Sequence, residues 1–94
     1  MGGVQYERPE RTAAIDKLFA DNLYAARRKS GVSRRELSRR TGIPHLSIDK
    51  IETGHGSGQK GLRRKVSIGE AVVLAEALGL KPGDLLKART VSDD

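Results

Sequence analysis

A chain of 94 residues, 36% hydrophobic and 3% aromatic, makes one small domain whose core must come from short elements packed closely, and it leaves little room for an enclosed enzyme cleft. The absence of cysteine excludes a disulfide framework and any thiolate metal site, and makes a reducing cytoplasm the expected compartment. A net charge of +6 favours a polyanionic partner, while the lack of any long apolar run argues against a membrane span, and the polar residues 1–11 lack the apolar centre of a secretory signal.

Residues 1–12 are polar, contain Gly2, Gly3 and Pro9, and show no helical period, so they read as a flexible arm ahead of a domain over 13–89. Within that domain Ile15, Leu18, Phe19, Leu23 and Ala26 recur at three and four residues and predict a first helix, capped by Thr12 or Asp16 and ended by Gly31. Residues 33–54, SRRELSRRTGIPHLSIDKIETG, then hold two short helical patterns that meet at a glycine. Ser33 with Glu36 forms the sequence of a capping box, and Leu37, Ser38 and Thr41 supply an inner face. Gly42 turns the chain, Ile43 before a proline favours extended backbone, and Pro44 starts the next helix, where its missing N–H costs nothing. Ile48 and Ile51 point that helix inward. This is the layout of a helix-turn-helix.

The stretch 54–66 is glycine-rich and basic, and predicts a loop. Ser67 with Glu70 is a second capping box, opening a fourth helix faced by Ile68, Ala71, Val72, Ala75 and Leu78 and stopped at Gly79. Lys81, Pro82 and Gly83 restart the chain, Leu85 and Leu86 predict a short fifth helix, and residues 90–94 form a frayed tail. The expected fold class is therefore all-α, a compact bundle of about five short helices.

Charge is unevenly placed along the chain. Residues 27–65 hold twelve Lys or Arg against three acids, while the remainder holds six bases against nine acids. The basic surplus thus coincides with the paired helices, which turns a feature that by itself fits a solvated surface into a polyanion footprint. Single-stranded nucleic acid is disfavoured, since stacking platforms need exposed aromatic rings and the only ones are Tyr6, Phe19 and Tyr24, two of them in a helix that needs them for packing. The segment GHGSGQKG lacks the Gly-Lys-Ser/Thr ending of a phosphate loop. His45 and His55 are too isolated for a metal centre, and no nucleophile or acid stands at catalytic spacing from them, so neither enzymatic activity, nor a metal, nor a cofactor is expected.

Three blocks in order, AARRKSGVSRRELS, TGIPHLSIDKIETG and AEALGLKPGDLL, resemble the Cro and phage-repressor family of DNA-binding domains, the XRE family, over roughly residues 18–86. The resemblance implies a lambda-repressor-like domain and a sequence-specific transcriptional regulator of phage or mobile-element type, with residues 44–53 lying in the major groove of an operator. On the helical wheel Leu46, Asp49, Lys50 and Thr53 face outward. Lys50 is long enough to reach guanine O6 and N7, with a phosphate contact as its rival; Leu46 suits a thymine methyl or a protein contact. His45 sits at the family's contact position, and Ser47 is small enough to let the helix approach closely. Asp49 either accepts from cytosine, holds Lys50 or an arginine in place, or excludes wrong sequences.

Arg34 stands where family members often carry glutamine, and arginine suits guanine and phosphate alike. Ser33, Arg35, Arg39 and Thr53 are the expected phosphate contacts of the two helices, joined by Lys60, Arg63, Arg64 and Lys65 of a loop longer and more basic than is common in the family. The resemblance also implies that Arg27 and Glu52 form a structural ion pair between the first and third helices. The expected partner is double-stranded DNA, with a possible homodimer through the last helix. The alternatives are a DNA-binding antitoxin of a toxin–antitoxin pair, a recombination accessory factor, or a protein-interaction domain that kept the fold alone.

Overall fold

Helical periodicity becomes four α-helices and a closing 3-10 helix in the computed structural model, which describes residues 9–54 and 65–88. The order is α1 (Pro9–Lys29), α2 (Arg34–Thr41), α3 (His45–Thr53), α4 (Ile68–Ala77) and the 3-10 helix Pro82–Leu86. There is no strand among the described residues, and no helix there is long and apolar enough to cross a membrane. The expected arm, basic loop and tail fall outside the described residues, apart from positions 9–12 and the loop ends at Gly54, Lys65 and Val66.

α1 begins earlier than its apolar stripe suggests. It takes in Pro9 to Thr12, which by sequence belong to the arm, and runs straight through Thr12 and Asp16, so neither caps it. Proline at the first helical position leaves no N–H to satisfy, and Glu10 behind it complements the positive end of the helix dipole. At the other end Arg27, Arg28 and Lys29 complement the negative end. Gly31 then takes φ +71 and turns the chain toward α2.

Ser33 caps α2, its hydroxyl accepting from the Glu36 N–H at 3.0 Å. The box is only half formed, because the Glu36 carboxylate turns to Arg39 and Arg40 instead of back to the cap. Gly42 ends α2 at φ +82 and Gly54 ends α3 at φ +78, left-handed values that a Cβ would strain. Pro44 is the cap of α3 and not its first residue: its ψ is 141, and its carbonyl accepts from Ser47 and Ile48 N–H at 2.9 and 3.1 Å. At α4 the box of Ser67 and Glu70 is complete in both directions.

The core gathers Phe19 and Leu23 of α1, Val32 of the α1–α2 turn, Leu37 of α2, Ile43 of the α2–α3 turn, Ile48 and Ile51 of α3, Leu74 and Ala75 of α4, and Leu85. α1 packs on α3 and the 3-10 helix, α2 on α3 and α4, and α4 on the 3-10 helix. Some stripe residues end outside this core. Ile15 is 41%, Ile68 85% and Leu86 48% exposed. They surround a shallow groove of about 140 Å³, floored by Phe19 and Ala71. The fifth element is a 3-10 turn and not an α-helix; a single short turn is held by the Asp84 carboxylate accepting from Lys81 N–H at 2.9 Å.

Two polar ties fix this arrangement. Buried Asn22 donates to the Leu85 and Lys87 carbonyls, both at 2.9 Å, and pins the 3-10 helix to α1. Arg40 donates to the Ala77 carbonyl at 3.0 Å, satisfying an orphan acceptor at the end of α4 from the end of α2. No buried side-chain polar atom among the described residues lacks a partner.

Candidate nucleic-acid interface

α3 owes its position to one face. Ile48 and Ile51 are fully or almost fully buried, and Glu52 beside them is 7% exposed. With these three turned inward, the helical period turns Leu46, Lys50, Thr53 and the edge of Asp49 outward. Leu46 is 62% exposed and Lys50 is exposed with no side-chain partner among the described residues. An apolar residue and an unpaired cation one turn apart thus share the outer surface of a helix braced from behind.

Glu52 is the anchor. Arg27 Nε donates to its Oε2 at 2.7 Å and Arg27 Nη2 to its Oε1 at 3.0 Å, a two-pronged pair with side chains 8% and 1% exposed. Arg27 Nη1 also donates to the Val32 carbonyl at 3.0 Å, so the guanidinium is satisfied on every side that burial leaves dry. The expected ion pair is therefore present, and it ties α1 to α3. Tyr24, which was expected to pack inward, is instead 41% exposed: its ring lies 5.5 Å from both the Arg27 and Arg28 guanidinium carbons, and its hydroxyl accepts from Arg28 at 2.6 Å.

Arg34 does more than reach outward. Its Nε donates to Glu52 Oε1 at 2.9 Å and its Nη1 lies 3.1 Å from Asp49 Oδ1. Arg27, Glu52, Arg34 and Asp49 form a neutral chain of alternating charges from the core to the rim of the α3 face. Of the two cations that the sequence offered Asp49 to hold, an arginine or Lys50, it holds an arginine, Arg34.

The remaining candidates divide by what already holds them. Arg35 is exposed and has no side-chain partner among the described residues. Arg39 is exposed too, but Glu36 Oε1 accepts from its Nε at 3.1 Å and its Nη2 at 2.5 Å. Those bonds, and behind them the bond from Arg40, hold the Glu36 carboxyl below its ordinary range. Thr53 donates its hydroxyl to the Asp49 carbonyl at 2.8 Å, and Ser33 is committed to its cap. His45 and Ser47 are half-buried at the start of α3. Lys65 is exposed at the entry to α4; Lys60, Arg63 and Arg64 lie outside the described residues.

The two polar ties of the fold differ in what the sequence shows of them. The Arg40 link to α4 has no local signal, whereas Asn22 carries one, being a polar residue set between Phe19 and Leu23 on the buried stripe of α1. Among the described residues no group of three or more His, Asp or Glu is placed to hold a metal ion. In comparisons with known proteins, no family model, no curated protein and no solved structure matches this chain.

Proposed function

We propose that this protein is a sequence-specific binder of double-stranded DNA that regulates transcription by occupying an operator, in the manner of the small phage and mobile-element repressors of the XRE family that its sequence resembles. The observation that carries the reading is the two-sidedness of α3: Ile48, Ile51 and Glu52 lock one side into the domain, while Leu46 and Lys50 are exposed on the other, without a side-chain partner among the described residues. A helix fixed in this way presents base-reading side chains without first having to order them. α3 enters the major groove, Lys50 reads guanine, Leu46 packs on a thymine methyl, and His45 and Ser47 approach the base edges from the helix start. Arg35 and Arg39 of α2 follow the phosphates and supply salt-sensitive affinity without sequence information.

Selection from a pool of random duplexes tests this directly. A recovered sequence that outcompetes its own scramble is expected, and Lys50→Ala then loses about 1–3 kcal/mol on that sequence and relaxes its preference at one base pair. An equal loss on unrelated duplex would reassign Lys50 to a phosphate. The antitoxin alternative draws on a different surface, the apolar groove bordered by Ile15, Ile68 and Leu86. A neighbouring gene for a small toxin, whose product binds the chain and is released by Ile68→Asp, would favour it.

A further inference from the structure

Asp49 raises a question that the rest of the interface does not answer. Its side chain is 39% exposed on the outer edge of α3, where a carboxylate repels phosphate, and the buried charge of Glu52 is already met by Arg27 without it. What Asp49 does have is one corner of Arg34. The Arg34 guanidinium is gripped at Nε by Glu52 and at Nη1 by Asp49, and Glu52 cannot yield, because Arg27 holds both of its oxygens. Nη2 of Arg34 has no partner among the described residues, and the side chain is 32% exposed. The result is a planar donor group fixed in position at the rim of the α3 face, with donors left over.

Resting on the reading of α3 as a DNA-facing helix, we infer that Asp49 is a positioning residue: with Glu52 it presets Arg34 to read a guanine next to the start of α2, and so controls sequence discrimination instead of overall affinity. An unrestrained arginine swings on a flexible stem and pairs with any phosphate, which strengthens binding to every sequence alike. A restrained one has little rotamer freedom left to lose when it meets guanine O6 and N7, and it is withheld from phosphates off that position. Removing the Asp49 charge therefore relaxes the aim of Arg34 and lifts a repulsion that penalised nonspecific contact.

Asp49→Asn keeps the size of the side chain and removes the charge. Wild type and variant are titrated with the selected duplex, with its scramble, and with selected duplexes in which deazaguanine, lacking the N7 acceptor, replaces guanine one position at a time. Wild type is expected to lose about tenfold at one guanine in addition to any read by Lys50. Asp49→Asn loses that sensitivity, as does Arg34→Ala. It also binds the scramble more tightly, with a salt dependence steeper by about 0.9, while Asp49→Glu restores part of the discrimination. If Asp49→Asn lowers the melting temperature yet keeps the wild-type preference and the deazaguanine response, Asp49 only straps α2 to α3 and the inference is overturned. A wild type that does not distinguish the selected duplex from its scramble overturns the underlying reading of α3 as well, so the two failures are told apart.

Discussion

Glu52 concentrates the energetics of this domain in one side chain. It is 1% exposed, accepts three guanidinium bonds, and joins α1, α2 and α3 through Arg27 and Arg34. Breaking a buried pair from one side costs more than the pair contributes, because the surviving charge keeps its desolvation penalty and loses its partner. Glu52→Ala strands Arg27, 8% exposed, and should lower stability by about 3–5 kcal/mol. Urea unfolding measures it. The joint replacement of Arg27 and Glu52 by Leu should cost much less than Glu52→Ala alone, since it removes the unpaired charge together with its partner. A single variant as stable as wild type, or a double variant no better than the single, would refute this account of the anchor.

At the level of elements, α2 shows how local chemistry is redirected by neighbours. Ser33 and Glu36 have the spacing of a complete capping box, yet Arg39 and Arg40 outbid the cap for the carboxylate, as their bonds of 2.5 to 3.1 Å attest. The Arg39 bonds, then the one from Arg40, lower the folded pKa of Glu36 below its unfolded value. Stability from this carboxylate is therefore present above the unfolded pKa and lost as pH falls through the folded one. A carbon-detected titration of Glu36 should find its midpoint below the ordinary glutamate range, and Arg39→Gln should move that midpoint upward. A midpoint unmoved by Arg39→Gln would assign the shift to another cause.

The same element marks where sequence reading stops. Ile48 with Ile51, Ser67 with Glu70, and the glycines that end the helices are all signals within four residues, and each stands where periodicity and capping place it. The start of α1 is not legible because Pro9 to Thr12 carry no apolar stripe, and Glu10 to Thr12, exposed to water, need none. The links from Asn22 to Leu85 and from Arg40 to Ala77 span 63 and 37 residues, so no local pattern names their partners, even where Asn22 on a buried stripe signals that it needs one. Arg34 was legible as a cation at the right place, but its grip on Asp49 and Glu52 depends on how α2 crosses α3, which spacing alone does not specify.

Across the whole molecule, formal charge and available charge differ. Residues 27–65 carry twelve cations against three acids, but Arg27 is buried, Arg34 is paired twice, and Arg39 and Arg40 share Glu36. A cation already engaged by a carboxylate gives up less counterion release when a phosphate arrives than one that is free. Arg35, next in sequence to Arg34 but without a partner among the described residues, should count fully. Arg35→Gln is expected to reduce the slope of log affinity against log salt by about 0.9 and to weaken selected and scrambled duplexes equally, because a phosphate contact carries no sequence information. Arg39→Gln, which also leaves the Glu36 carboxylate near the same surface with Arg40 alone, should weaken both duplexes too, but with a slope change that departs from that of a lone phosphate contact. Titrations over a range of salt concentrations decide between the two. If Arg35→Gln changed the preference and left the slope alone, α2 would have to be placed over bases instead of along the strand.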